Sequence, residues 1–284
     1  MARMLRKALE GLLSEEEIRL LYGGFDIVGD IAVIKIPDAL LAKKKLIAET
    51  LLRQVKPVKT VLMQTTPVSG EYRTRSLELI GGEDRTTTVH REHGCTFNVD
   101  LAQAYFSPRL SAERLRVAEM VQPGETVTNL FAGVGAFSII IAKKVPETRV
   151  YSIDINPAAH QLAVENIRLN KVSDQVTPIL GDARRVIDEV KGRADRVLMP
   201  LPEKAADYLE VAVEALKPPT GIIHYYTHTY AARREEAFKE ALKELDEAIG
   251  GRYEAIAHRI VREVGPRWYQ VALDLRVSTS TSSS

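Results

Sequence analysis

From residue 126 onward, short β-branched runs alternate with helical patterns, and no other feature of this chain narrows its fold as far. The runs are TVTNLF (126–131), RVYSID (149–154), VTPIL (176–180), RVLMP (196–200) and GIIHYY (221–226). Helical spacing falls between and after them, over 136–144, 157–170, 182–190, 203–216 and 231–248. Such alternation predicts a mostly parallel sheet with crossover helices on both faces. A helix over 111–121, with Ser111 as its N-cap, leads into this α/β unit, and YQVALDLRV reads as its closing strand.

The first hundred residues read differently. Residues 1–20 have apolar positions at helical spacing, and Ser14 before Glu15, Glu16 and Glu17 reads as a cap that divides them into two helices. FDIV and IAVIKI, joined by Gly29-Asp30, read as a hairpin. A helix is expected over 39–54 and short strands over 58–64, 76–80, 86–91 and 95–101. The resulting division is a small α+β domain over 1–108, an α/β domain over 109–278, and a disordered polar tail over 279–284.

Composition excludes several classes. At 45% hydrophobic and 27% charged residues the bulk of the chain is not disordered. Lys and Arg number 39 against 38 Asp and Glu, so an acidic partner must be met by local basic patches. Lys43-Lys44-Lys45, Arg184-Arg185, Arg233-Arg234 and Arg262 with Arg267 are the candidates, although each by itself also reads as a solvated face. The single cysteine, Cys95, excludes a disulfide framework and a multi-cysteine zinc site, and reads as a small core residue. The six histidines lack metal-ligand spacing, and His224, in a buried-strand pattern, reads as structural. No apolar stretch reaches the ~18 residues of a membrane helix, and the N-terminus reads as a helix and not as a signal peptide. A cytoplasmic enzyme or RNA-binding protein is expected.

Four ligand-type features then fall, in order, at four successive strand ends. NLFAGVGAFSI (129–139) is a glycine-rich strand-to-helix turn, where backbone N–H groups can face a ligand. Gly133 and Gly135 do not complete G-x-G-x-x-G, which favours a nucleoside without a diphosphate. Asp154 ends the next strand, where a carboxylate can accept from both hydroxyls of a ribose. Asp182 follows a third strand, within reach of an adenine amino group, and Pro200-Leu201-Pro202 follows a fourth. Taken singly, Asp154 and Asp182 also read as helix caps and the glycines as turn formers.

This order resembles the class I S-adenosylmethionine-dependent methyltransferases. YFSPRLSAERLRVAEMV, NLFAGVGAFSI, DINPAAHQLAVENIRLNKV, GDARRV, RVLMPLP and GIIHYY are similar to the archaeal and eukaryotic tRNA (guanine-37) N1-methyltransferase family. FDIVGDIAVIKIP and GEYRTRSLELIGG resemble that family's small second domain; its further, tRNA-elbow-gripping domain is not expected here. The resemblance implies methyl transfer to N1 of guanine-37 in the anticodon region of tRNA, with neither membrane attachment nor an obligate protein partner. It implies Glu113 as the base that removes the N1 proton, and Arg73, with Arg75 as the second register, as the cation that stabilises charge on O6. It places Phe106, Arg109, Arg114, Phe131, Gly133, Asp154, Ile155, Asp182, Ala183 and Pro200 around the S-adenosylmethionine. On spacing alone, Glu113 and Arg116 read equally as a solvated helix pair.

Two residues depart from the family pattern. Asn129 stands where aspartate is usual, and Pro200 stands where guanine-modifying members usually carry the asparagine of Asn-Leu-Pro. Proline offers neither a side-chain acceptor nor an N–H. The Pro-Leu-Pro form resembles an archaeal subgroup that also, or instead, methylates carbon 7 of the tricyclic wyosine precursor. The alternative activity within the same fold is transfer of the donor's 3-amino-3-carboxypropyl group to that precursor.

Overall fold

The computed structural model of the chain describes residues 2–22, 24–68 and 70–279. Residues 280–284 of the expected tail lie outside them, and Thr279 donates its backbone N–H to Pro219 O at 3.0 Å. The chain divides into two compact units, Met1–Ser111 and Ala112–Ser284.

In the first unit, α1 (Ala2–Leu9) and α2 (Glu15–Leu20) are separate helices, as the Ser14 cap requires. The Ser14 hydroxyl accepts from Glu17 N at 3.2 Å and the Glu17 carboxylate accepts from Ser14 N at 2.8 Å, a reciprocal capping box. Strands β1 (Phe25–Val28) and β2 (Ile31–Ile34) form the expected hairpin. At its turn Gly29 has φ +57°, and a Cβ there would lie 2.1 Å from Thr88 Oγ1, so only glycine fits. A 3₁₀ turn, Asp38–Lys43, leads into α3 (Lys44–Gln54), which crosses to β3 (Thr60–Gln64), parallel to β2. β4 (Leu77–Gly82) completes a four-stranded sheet in the order β1-β2-β3-β4. Leu5, Leu9, Ile34, Ile47, Leu51 and Val61 pack into one core between the helices and this sheet. β5 (Thr87–Glu92) and β6 (Cys95–Asp100) form a separate antiparallel ribbon, in which Cys95 is buried.

The second unit contains nearly all of α4 (Ser111–Met120), then β7 (Thr126–Asn129), α5 (Ala136–Lys144), β8 (Arg149–Asp154), α6 (Pro157–Leu169), β9 (Val176–Leu180) and α7 (Ala183–Val186). There follow β10 (Arg196–Met199), α8 (Leu209–Ala215), β11 (Thr220–Tyr230), α9 (Ala237–Ile249), β12 (Tyr253–Gly265) and β13 (Trp268–Ser278). The seven-stranded sheet runs β12-β13-β11-β10-β7-β8-β9. Strands β7 to β11 are parallel, as the alternation predicts, and β13 is antiparallel to both of its neighbours.

Several boundaries differ from the sequence reading. β12 has no counterpart in it. It is an edge strand, largely exposed, with three register shifts against β13, so its apolar residues never alternate cleanly. β11 extends to Tyr230 because β13 pairs with it along its whole length, and α9 therefore begins at Ala237 and not at 231. The helices expected over 182–190 and 203–216 are each split between a short α-helix and a 3₁₀ turn. Tyr269 is buried in the last strand, while Trp268 is exposed and meets Tyr230 edge-on at 5.8 Å.

Candidate active site

The carboxyl ends of β7, β8, β9 and β10 carry the four motifs along one sheet edge. After β7 the chain turns sharply. Gly133 and Gly135 both take positive φ, +57° and +84°, and Gly135 is the N-cap of α5. Asn129 is fully buried; its Oδ1 accepts from Phe131 N at 3.3 Å and its Nδ2 donates to Ser138 Oγ at 3.2 Å. An amide therefore orients the loop here where aspartate is usual.

Asp154 ends β8 and spans two loops. Its Oδ2 accepts from Gly133 N at 2.6 Å and its Oδ1 from Asn156 N at 2.9 Å. The cap of α6 is Asn156 and not Asp154, because Asn156 Oδ1 accepts from Ala158 N and Ala159 N. Burial raises the Asp154 carboxyl above the ordinary carboxylate range, against the lowering effect of the two N–H donors. Two backbone N–H groups occupy about half of a carboxylate's lone-pair sites. The remaining capacity matches two hydroxyls on adjacent carbons, the donor set of a ribose. By that chemistry the edge fits S-adenosylmethionine.

Asp182 does cap α7, accepting from Arg184 N at 2.9 Å, and the same Oδ1 accepts from Tyr208 OH at 3.0 Å. Tyr208 also meets Phe131 edge-on at 5.0 Å and lies under the Arg184 guanidinium at 4.1 Å. Phe131, Asp182 and Tyr208 thus form one wall, and Ala183 is buried beside it as the first residue of α7. Ile155 lies in the turn after β8. Pro200 follows β10 directly, and Leu201 N turns back to Met199 O at 2.8 Å. The sequence motifs do not include Tyr208, which falls inside the helix expected over 203–216 with nothing to single it out.

Glu113 is not a solvated helix residue: it is 1% exposed. Its Oε1 accepts from Tyr226 OH at 2.8 Å and from Arg116 Nη2 at 2.7 Å, and Arg259 Nη1 stands 3.4 Å from Oε2. Burial and the Glu113 charge push the Tyr226 hydroxyl far above the usual tyrosine range, so it remains a donor. Tyr226 lies one residue beyond Tyr225, which pairs with Met199, so the hydroxyl that donates to Glu113 comes from the part of β11 beside the carboxyl end of β10. Arg114, also buried, lies over the Phe137 ring at 6.0 Å.

Arg116 continues the network into the sheet, donating to Asp274 Oδ2 at 2.5 Å and Oδ1 at 3.1 Å. Asp274 also meets His224 Nδ1 at 2.5 Å, and His224 Nε2 faces Arg196 Nη1 at 3.0 Å. A guanidinium can only donate, so Nε2 accepts and the ring proton sits on Nδ1. Burial lowers the His224 pKa, outweighing the pull of Asp274, and the ring is neutral. Burial alone would raise the Asp274 carboxyl, but the hydrogen bonds from His224 and Arg116 hold it well below the carboxylate range. His224 is structural, as its strand pattern suggests, but it is part of a charge network that the sequence did not reveal.

The first unit holds the remaining predicted residues. Arg73 has φ +53° and its guanidinium lies 5.0 Å from the Tyr105 ring centre. Arg75 donates to Gln64 Oε1 at 3.3 Å, and burial lowers its pKa against the opposing charge of Asp26. Arg109 Nε donates to Asp26 Oδ1 at 2.6 Å. Phe106 is buried and packs against His90 and Phe97. Of the basic clusters, Lys44 pairs with Glu78 at 2.6 Å, Arg184 is engaged with Tyr208 and Asp207, and Arg262 donates to Gln270.

An open α/β sheet of this strand order, with a ribose-type carboxylate after its second parallel strand, defines a class I methyltransferase domain. The chain belongs to the TRM5/TYW2 methyltransferase domain family, which matches residues 88–254; residues 5–86 match the TYW2 N-terminal domain. The tRNA (guanine(37)-N(1))-methyltransferase Trm5b of Pyrococcus abyssi is 44% identical over 93% of this chain and 78% of its own length. The tRNA 4-demethylwyosine(37)-methyltransferase Taw21 of Saccharolobus solfataricus is 37% identical over 89% of this chain and 93% of its own. Among solved structures, a complex of aTrm5 with tRNALeu matches with a TM-score of 0.85 and 36% identity, covering 98% of this chain and 79% of that one. Among the described residues, no helix is long and apolar enough to cross a membrane.

Proposed function

We propose that this chain transfers a methyl group from S-adenosylmethionine to N1 of guanine-37 in tRNA, and also to carbon 7 of the wyosine precursor at the same position. The observation that carries the reading is Glu113: a buried carboxylate held by Tyr226, from the part of β11 beside the carboxyl end of β10, in the unit whose strand ends carry Gly133, Asp154 and Asp182. Bound there, S-adenosylmethionine supplies an electrophilic methyl carbon. Asp154 would accept from its ribose hydroxyls, Asp182 would meet the adenine amino group, and Phe131 with Ile155 and Ala183 would line the base. Glu113 would take the N1 proton as the methyl is transferred, which makes N1 nucleophilic. Arg73 would offset the charge that develops on O6. Arg109 and Arg114 would flank donor or base.

The carbon-7 activity is supported by the likeness to Taw21 and by Pro200. A nitrogen target gains from a side-chain acceptor near its amine edge; a carbon nucleophile needs space and alignment. The proposed partner is tRNA, contacted in its anticodon region, without an obligate protein partner, and the proposed setting is the cytoplasm.

The test is nucleoside mass spectrometry of tRNA incubated with the protein and methyl-labelled donor. Both unmodified guanine-37 tRNA and precursor-bearing tRNA are used. Methylated guanosine and methylated precursor are expected, and Pro200→Asn should shift the ratio toward guanine. An aminocarboxypropyl product would instead assign the alternative activity, and label on guanine alone would make Pro200 a neutral variation.

A further inference from the structure

We propose that Asp274 is a positioning residue for Glu113: by sharing the Arg116 guanidinium it holds the Glu113 carboxylate in place and offsets the positive charge beside it. The inference rests on the reading of Glu113 as the base.

Arg116 stands between two buried carboxylates. Its Nε donates to Glu113 Oε1 and Oε2 at 3.1 and 3.2 Å, and its Nη1 to Asp274 Oδ2 at 2.5 Å. Its Nη2 serves both, at 2.7 Å to Glu113 Oε1 and 3.1 Å to Asp274 Oδ1. A glutamate paired with an arginine alone is a poor proton acceptor, because a close cation favours the ionised carboxylate by about 1–3 pH units. Here one positive group faces two negative ones, so the trio keeps a net negative charge.

The surrounding groups preserve that sum. His224 on β11 is neutral, since its Nε2 accepts from Arg196, and the Arg196 charge on β10 is met by Glu125 at 3.0 Å. Tyr226 on β11 gives Glu113 a neutral donor. Arg259 on β12 is the second cation at Glu113, but its side chain is 41% exposed, so solvent screens it. Arg114, the neighbour on α4, lies over Phe137. His224 in turn donates to Asp274 Oδ1, the oxygen that also accepts from Arg116 Nη2.

The experiment is the pH profile of single-turnover methyl transfer to guanine-37 tRNA by the full chain and four variants. These are Glu113→Gln, Asp274→Asn, Arg116→Gln, and the double Arg116→Gln with Asp274→Asn. Donor binding by calorimetry and thermal melting check each fold. Glu113→Gln should abolish the acid limb of the profile. Asp274→Asn should move that limb about one unit toward lower pH and lower the plateau about tenfold, as a weaker base would. Arg116→Gln should move it the opposite way, and the double variant should return it to the wild-type position. Merely structural residues would lower the plateau and leave the limb where it is. If the limb disappears with Glu113→Gln but is unmoved by Asp274→Asn, the inference fails and the base reading stands. If Glu113→Gln keeps the limb, Glu113 is not the base and both fall. Should Asp274→Asn not fold, the double variant decides against Arg116→Gln: a limb moved by Arg116→Gln and returned in the double variant supports the inference, and a limb that is not moved by Arg116→Gln or not returned in the double variant overturns it.

Discussion

The two ends of the second unit's sheet are built on different principles. On the β7–β8–β9 side the candidate cofactor edge is held mainly by backbone N–H groups of the strand-end turns: Asp154 accepts from Gly133 N and Asn156 N, and Asp182 from Arg184 N, with Tyr208 OH as the one side-chain donor among these bonds. On the β11–β13–β12 side Glu113 is held by side chains from four elements, Arg116 on α4, Tyr226 on β11, Asp274 on β13 through Arg116, and Arg259 on β12. Turns preorganise the first end, and buried charges preorganise the second. Removing one partner from a buried, hydrogen-bonded charge network costs far more than removing a solvated contact.

That contrast predicts its largest effect at Glu113. Glu113→Gln should lower the single-turnover rate of N1 methylation by about 10²–10⁴-fold, the usual weight of a general base, while donor affinity stays near wild type. A near-wild-type rate at saturating tRNA would reduce Glu113 to a buried packing residue.

The same contrast explains what the sequence could tell. The cofactor edge is made of short motifs, so Gly133, Asp154, Asp182 and Pro200 could be named from strand-end position alone, whereas Phe131, Ile155 and Ala183 came through resemblance. Even there the cap of α6 fell to Asn156, because Asp154 points instead to the glycine loop. At the other end Glu113 was named only through resemblance, and its solvated pairing with Arg116 was equally readable. Spacing of three residues gives the pair but not the burial, which comes from β11 and β13, more than a hundred residues away. Asp274 and Arg259 carry no local signal, and Arg259 lies on a strand whose bulges erase its pattern. Long-range side-chain networks leave no periodicity to read.

A smaller effect is expected at the cofactor edge. Asp154→Ala should weaken S-adenosylmethionine binding about 10- to 100-fold by calorimetry, since hydrogen bonds to a charged acceptor are worth about 1.5–3 kcal/mol. The variant also frees Gly133 N and Asn156 N, so part of the loss is loop disorder. A double variant Asp154→Ala with Glu113→Gln should show additive losses, donor binding from one end and rate from the other. Strong coupling would mean that the two ends are one device.

Tyr226→Phe comes next. It removes one neutral donor from Glu113 and leaves the ring packed against Phe137. A net hydrogen bond of about 1 kcal/mol corresponds to a rate loss of about fivefold, with donor binding unchanged. A loss as large as that of Glu113→Gln would make Tyr226 part of the chemistry and not of the support.

The smallest effect is on stability, and here the two ends pull in opposite directions with pH. His224 has its pKa lowered from 6.5 by burial. Above that value the ring is neutral folded and unfolded, and contributes nothing. As pH falls below 6.5 the unfolded chain takes a proton that the folded chain refuses, so stability declines until the folded value is passed. Asp274, lowered from 3.8, adds a further loss as pH falls below 3.8, because the unfolded carboxylate protonates first. Asp154, raised from 3.8 by burial, works the other way: the folded state binds its proton more tightly, so acidification toward 3.8 relieves a penalty. Melting temperature should therefore fall on going below pH 6.5, with a shallower slope in His224→Gln and a steeper one in Asp154→Asn. Slopes unchanged in both variants would mean that neither end sets the acid response.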